Sequence, residues 1–416
     1  MNQPPTTGFG ISGQSIICFA GEDWWYHHPH SKNHILKRLA RQNKVLFVNS
    51  LTMGLPSFSN PDFFLKIRRK LRSYMRWLRK VPEGLYVMTP VSFPLYGSSF
   101  GRALNRWLLL IQLRLVSLLC GFRKPIVWVA IPSAADIVKA LKPRVLLYQV
   151  SDKYEANEDS ALSSDVIRTW DQQLKQQAAV VMYSGRKLFQ ESDSPRRYFL
   201  EQAVDFDHFA SEAGQPASEI ANIPRPILGY FGYMDYVMDV ELMEEVARRR
   251  PEWHWLLIGG KSNLVQFNSP NFHYIGPKPY ADLPKYLRHI DVCVLPWSQK
   301  NTFTSYGSAI KVREYLATGK PVVISPLYEY LETPGVHIYR STDEFISAVE
   351  HSSRNDTQTD RAFRQSVVRN CTWDVRAREV GELIKKLLVS GPHDAIATQP
   401  RPAANAEQEF ATDTLP

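Results

Sequence analysis

One acid on a short helix, a turn beyond a polar loop, carries the clearest chemical signal in this chain. The stretch Ser308-Ala-Ile-Lys-Val-Arg-Glu-Tyr-Leu-Ala-Thr-Gly-Lys-Pro-Val-Val-Ile324 joins a loop, a helix and a strand. Ser308, Ala309 and Ile310 would present backbone N–H groups at the positive end of that helix, where a diphosphate is favoured. Glu314 stands one turn further on, placed to accept hydrogen bonds from ribose hydroxyls, and Lys311 adds a mobile positive charge beside it. Gly319 reads as the left-handed residue that stops the helix, Pro321 starts the next element, and 322–324 reads as a parallel strand buried on both faces. The pattern predicts a nucleotide site.

A second concentration lies near the start of the chain, in Gly21-Glu-Asp-Trp-Trp-Tyr-His-His-Pro-His-Ser31. A hydroxyl is a poor nucleophile near neutral pH and needs a base to activate it, a role open to Asp23, His28 and His30. Asp152, after a later apolar run, is an alternative base, or with Glu155 a cap for the helix that follows. Trp24 and Trp25 present aromatic faces suited to stacking on a ligand. His30 and His34 are four residues apart, but no carboxylate pair at metal spacing accompanies them, so neither a metal nor any other cofactor is expected.

These residues need a scaffold that brings strand ends together. Short apolar runs at 15–20, 45–49, 85–89, 126–130, 145–150 and 179–183 alternate with helical stretches, as in a parallel sheet covered on both faces. A second series follows at 227–233, 255–259, 272–275, 292–295, 322–324 and 337–339. The expected fold class is α/β, with two doubly wound domains facing across a cleft and ligands bound beyond the carboxyl ends of the strands. The expected organisation is a flexible N-terminus over 1–13, a first domain over 14–220 and a second over 221–365. A helix over 366–390 and a disordered tail over 391–416 follow, because the tail lacks large apolar residues.

The motifs now quoted resemble those of GT-B glycosyltransferases, in particular the family-4-like bacterial group that uses nucleotide sugars. The stretch from 308 to 324 resembles that group's donor motif, and Glu314 matches the second of its two glutamates. The first falls on Tyr306. Gly21 to Ser31, which resembles the group's aspartate-tryptophan loop, together with Leu147-Tyr-Gln-Val-Ser-Asp-Lys-Tyr154, Ala203-Val-Asp-Phe-Asp-His-Phe209, Ile227-Leu-Gly-Tyr-Phe-Gly-Tyr-Met-Asp235 and Asp291-Val-Cys-Val-Leu-Pro-Trp297, extends the likeness along some 310 residues of the chain. The resemblance implies a Rossmann-like pair of domains, a glycine turn at Gly232, and a base-binding loop around Gly276 and Tyr280. It also implies a final helix that crosses back to the first domain. The family's usual arginine and lysine after the first donor-domain strand are missing, which leaves Lys261 and Lys311 to neutralise the diphosphate.

Composition sets the remaining bounds. The chain has 416 residues and a formal charge of +9. Eight basic residues and no acid fall within 63–80, where Phe64, Ile67, Leu71, Met75 and Leu78 recur at helical spacing. The segment predicts a basic amphipathic helix that either packs on its domain or lies on an anionic membrane surface. No binding motif accompanies the charge, so nucleic acid is not expected as a partner. The run 107–122 is apolar but carries Gln112 and Arg114, and falls short of the roughly 20 residues that span a bilayer. It predicts a buried or interfacial helix. Four scattered cysteines and the absence of a signal-like start in 1–13 predict a cytoplasmic protein, peripheral at the inner face of the membrane. The expected activity is sugar transfer from a nucleotide-sugar donor to a saccharide or lipid-linked saccharide in bacterial surface or exopolysaccharide assembly. The alternatives are a nucleotide-sugar epimerase and a non-catalytic scaffold of the same fold.

Overall fold

The computed structural model describes residues 8–50, 68, 71–93, 98–153, 164–211, 217–300 and 302–391. The first domain is built on β1 (Ser15–Phe19), β2 (Lys44–Val48), β3 (Leu78–Lys80), β4 (Tyr86–Met88), β5 (Ile126–Val129), β6 (Val145–Val150), β7 (Val180–Tyr183) and β8 (Arg197–Phe199). They form one sheet in the order β3-β4-β2-β1-β5-β6-β7-β8, parallel throughout except for the antiparallel β3–β4 pair. Ile16 pairs with Val45 on one side and Ile126 on the other, which centres β1 in the sheet.

Alternation of side chains along each strand feeds two cores. Ile16, Cys18, Phe47, Trp128 and Leu147 point to one face, and Ile17, Phe19, Leu46, Val127 and Tyr148 to the other. The helices of this domain are α1 (Ser31–Leu39), α2 (Ser99–Cys120), α3 (Ala135–Leu141), α4 (Ser164–Gln177), α5 (Arg186–Gln190) and α6 (Phe206–Ala210).

The second domain has β9 (Ile227–Phe231), β10 (His254–Ile258), β11 (Phe272–Tyr274), β12 (Val292–Leu295), β13 (Val322–Ile324) and β14 (Val336–Ile338) in a fully parallel sheet, ordered β11-β10-β9-β12-β13-β14. Its helices are α7 (Val240–Arg249), α8 (Leu283–Leu287), α9 (Thr302–Ser305), α10 (Ile310–Ala317), α11 (Thr342–Asn355) and α12 (Gln358–Val368). α13 (Trp373–Ser390) then leaves this domain and sets Trp373, Ala377, Val380 and Ile384 into the first domain's core. The chain also crosses at Val204, whose N–H donates to the carbonyl of Cys371 at 3.0 Å.

Two expectations are corrected. The basic segment is not one helix to Lys80: 71–74 is helical, but Leu78 to Lys80 form the edge strand β3. Trp77 and Leu78 pack on the first-domain core, and the Trp77 indole donates to Gln112 at 3.2 Å, which pulls the chain out of helical register. Residues 51–67, 69 and 70 lie outside the described residues. Nor is all of 1–13 loose. Phe9 and Ile11 are buried against α13, and a Cβ on Gly381 would meet the Phe9 carbonyl oxygen at 1.7 Å. Residues 1–7 and 392–416 lie outside the described residues, and with them nearly all of the expected tail.

Candidate functional site

The donor side is built from two tight turns at strand ends. Gly232 follows β9 with φ 140°, and Gly259 follows β10 with φ 141°, conformations open to glycine. A Cβ on Gly259 would lie 1.9 Å from the Gly232 carbonyl oxygen, so the turns nest without room for a side chain. Lys311 lies over Gly232, with its Nζ 2.9 Å from the Tyr230 hydroxyl oxygen and 4.5 and 5.3 Å from the centroids of Tyr230 and Trp297. The ring faces hold the cation by charge–quadrupole attraction.

α10 begins beside this cation. Ala309 caps it in extended conformation and offers no side-chain acceptor to its first-turn amides. The Tyr330 hydroxyl donates to the Ala309 carbonyl at 2.7 Å and fixes the loop. The buried Ser308 Oγ finds no hydrogen-bond partner among the described residues. One turn on, Glu314 is buried, and burial pushes its carboxyl pKa up to about 8, with nearby Lys311 opposing and Asp205 reinforcing the shift.

The Tyr280 hydroxyl lies 3.4 Å from both Glu314 Oε1 and Asp205 Oδ2. Asp205 closes the first domain and pairs with His34 at 3.2 Å and Arg38 at 2.7 Å. The acid expected at the ribose therefore sits at the domain junction. Burial raises the Tyr280 hydroxyl pKa far above its usual value, with both carboxylates reinforcing the rise, so it stays a donor.

Of the predicted donor residues, Gly232, Ser308, Ala309, Ile310, Lys311, Glu314 and Tyr280 thus converge. Gly276 braces the set, since its carbonyl accepts from the Gly259 N–H at 2.9 Å. Lys261 does not join them: its Nζ lies over the rings of Phe267 and Tyr274, at 5.9 and 5.6 Å.

Across the cleft, the loop after β1 is organised differently from its sequence reading. Asp23 is a turn residue: Oδ1 accepts from the Trp25 N–H at 2.9 Å and Oδ2 from the Ser73 hydroxyl at 2.8 Å. Trp24 packs edge-on to Phe47 with Lys37 over its ring, and Arg76 covers Trp25, so both tryptophans brace the domain. The acid that reaches the cleft floor is its neighbour Glu22, paired with Lys32 at 2.8 Å, both buried. Glu22 Oε1 has no hydrogen-bond partner among the described residues.

His30 and Asp152 stand in the field of this pair. The protein packed around His30 holds its imidazole down to about 4 against the pull of Glu22, although His30 keeps an edge open to solvent, and desolvation raises the half-buried Asp152 carboxyl against the pull of Lys32. His28, exposed on the same loop, is also held below its usual value, by partial desolvation first and by the charge of Lys311 next. Beneath them the Gln149 amide donates to Ser31 at 2.9 Å and to Ser184 at 3.0 Å. Glu22 and Lys32 were missed in sequence; their signal was membership of the same dense loop and the first turn of α1. Among the described residues no three His, Cys, Asp or Glu side chains are grouped to hold a metal.

Tyr306, at the position of the absent glutamate, bridges the domains. Its ring lies between Lys153 at 4.4 Å and Lys187 at 4.5 Å, and its hydroxyl lies 3.0 Å from the Lys153 Nζ and donates to Glu191 at 2.8 Å. All three partners belong to the first domain.

Comparison with known proteins agrees with this architecture. Residues 225–355 match the family model described as glycosyl transferases group 1. A Bacillus subtilis (strain 168) protein carrying the provisional name of teichuronic acid biosynthesis glycosyltransferase TuaH is 26% identical over an alignment of 263 positions, which covers 56% of this chain. The chain spans 65% of the length of that relative. Among solved structures, sucrose-phosphate synthase from Thermosynechococcus elongatus superposes over 91% of this chain and all of its own, with TM-score 0.67 and 14% identity. Anabaena HepE in complex with UDP and glucose covers 91% of this chain and all of its own, with TM-score 0.61 and 12% identity. With two mainly parallel sheets and a cleft between them, the chain has the GT-B fold, and its residues 225–355, behind the donor loop, are similar to glycosyl transferases group 1.

Proposed function

We propose that this protein transfers a sugar from a nucleotide-sugar donor, of the UDP class, to a saccharide acceptor in bacterial surface-polysaccharide assembly. The observation that carries the reading is the convergence of Lys311, the open first turn of α10 and buried Glu314 around the nested glycine turns. The acceptor oxygen attacks the anomeric carbon as the bond from that carbon to the phosphate oxygen breaks, and the nucleoside diphosphate leaves with the electron pair. Lys311 and the α10 amides stabilise the charge that gathers on it. The acceptor's proton passes to a base in the group of His28, His30, Asp152 and Glu22 if the course is inverting, or to the departing phosphate if it is retaining. Charge neutralisation is assigned to these groups and not to a bound cofactor. The UDP and UDP-glucose complexes of HepE and the teichuronic acid assignment of the Bacillus relative support the donor and pathway classes.

Within this reading the acceptor is a lipid-linked saccharide at the cytoplasmic face of the membrane, and the eight positive charges of 63–80 attract the chain to anionic lipid. The test is a donor panel assayed for released nucleoside diphosphate in the presence of saccharide acceptors. Lys311→Met should lower turnover at least about tenfold while nucleoside affinity changes little, because the charge it meets develops during transfer. An isomerised donor without release would establish the epimerase instead, and no reaction with any donor would establish a scaffold.

A further inference from the structure

We infer that α2 is a monolayer-inserting element that seats the first domain on a bilayer containing anionic lipid. The helix runs for 22 residues, longer than its apolar core suggested, and is the one helix among the described residues long and apolar enough to cross a membrane. It does not stand free to do so. Gly101, Asn105, Leu109, Gln112, Leu113 and Val116 are buried on the domain. The Asn105 amide exchanges hydrogen bonds with the backbone of Phe93 at 2.7 and 2.8 Å, and that of Gln112 does the same with Val91 at 2.9 and 2.8 Å. Two polar side chains thus tie one face sideways to the protein, and pulling them into hydrocarbon would strip both of their partners.

The opposite face is apolar and open. Phe100, Trp107, Ile111, Leu115, Leu118 and Leu119 fall at three-, four- and seven-residue steps, and Trp107 is 62% and Leu118 81% exposed. Single exposed apolar residues are ordinary, but a stripe of six along one helix marks a contact surface.

Charge decides what that contact is. Residues 98–124 contain Arg102, Arg106, Arg114, Arg123 and Lys124 and no acid, and Arg106 and Arg114 are exposed on the helix itself. A protein partner would ordinarily meet such a surface with acids at chosen points, whereas an anionic monolayer satisfies an unbroken apolar stripe with a basic flank along its whole length. Leu71 and Met75, exposed beside Arg68 and Arg72, add the same two chemistries from the neighbouring segment. Because α2 connects the carboxyl end of β4 to the amino end of β5, it runs antiparallel to the strands, and its first turn lies on the cleft side of the sheet. A monolayer on the stripe would border the cleft where a lipid-linked acceptor must enter.

The inference is independent of transfer chemistry, so UDP affinity is measured alongside to separate the two. Full-length protein should sediment with vesicles of phosphatidylglycerol and phosphatidylcholine in equal amounts and less with phosphatidylcholine alone. Binding should weaken with salt but persist, because buried apolar contact is not screened. Replacing Trp107, Ile111, Leu115 and Leu118 together by Gln, a good helix former, should lower the partition coefficient at least about tenfold with UDP affinity and helicity retained. Lipids brominated in their chains should quench a fluorescence component that Trp107→Phe removes. Equal binding by the quadruple variant, complete loss of wild-type binding at moderate salt, or a dimer formed through the stripe in the absence of lipid would each overturn the inference. So would retention in the bilayer after alkaline extraction, which marks a spanning helix.

Discussion

Glu314 shows how a residue's meaning depends on what surrounds it. Its type and spacing were legible in sequence, because a lone acid one turn into a helix beside a polar loop is an unusual pattern. Its protonation was not, because burial and the neighbouring Asp205 raise its pKa to about 8. In the free protein the side chain is therefore mostly neutral at pH 7. Ribose hydroxyls donating to it favour the carboxylate, so nucleotide binding at pH 7 should release a proton and affinity should rise with pH until about 8. Calorimetry in buffers of contrasting ionisation enthalpy reads both. Glu314→Gln should flatten the profile, and Glu314→Ala should raise the UDP dissociation constant at least about tenfold, from losing roughly 1.5 to 3 kcal/mol of charge-assisted hydrogen bonding. The same shift acts on stability. The folded pKa lies above the unfolded one, so its contribution is present below pH 4.5 and is lost as pH rises through about 8, a loss that Glu314→Gln removes.

At the scale of elements, the central strands were readable because each is a short apolar run buried on both faces. The edge strands β3 and β8 were not, since Arg79, Lys80 and Arg197 break the apolar pattern where solvent meets the sheet. Element geometry also separates Lys311 from Lys261. Both follow strand ends in sequence, but the start of α10 turns Lys311 over Gly232, whereas the loop after β10 turns Lys261 onto Phe267 and Tyr274. The nested turns give a sharp test. Gly259→Ala adds a Cβ 1.9 Å from the Gly232 carbonyl in a backbone region that only glycine adopts freely, so it should destabilise by at least about 3 kcal/mol and abolish UDP binding. Gly276→Ala, at φ 71° with open space around it, should cost only about 1 to 2 kcal/mol. Chemical denaturation of the two variants compares them directly.

The whole molecule is two lobes tied at the junction by α13 and Asp205, and across the cleft by Tyr306. The tyrosine brings two cation contacts and a hydroxyl to three first-domain side chains, so it favours a closed cleft. Each exposed cation–π contact is worth about 0.5 to 1 kcal/mol, enough to shift an equilibrium between open and closed forms several-fold. Tyr306→Ala should therefore increase the radius of gyration of the free protein in small-angle scattering, while Tyr306→Phe, which keeps the ring, should stay near wild type. Identical scattering from Tyr306→Ala would remove the closing role. In sequence this position read only as a departure from a family glutamate. Lys153 and Lys187 lie far from it along the chain and gave no local sign of meeting it.

The sequence by itself determined what depends on local periodicity and composition: two α/β domains, the donor helix with its acid and glycine stop, and a loop after β1 dense in ionisable groups. Tertiary structure decided which members of each dense segment serve the cleft. Asp23 and Glu22 are adjacent and chemically alike, yet the turn spends both oxygens of Asp23 on Trp25 and Ser73, and directs Glu22 to Lys32 at the cleft floor. Such choices rest on contacts between residues distant in the chain, and on the burial those contacts create. Neither leaves a mark on local spacing.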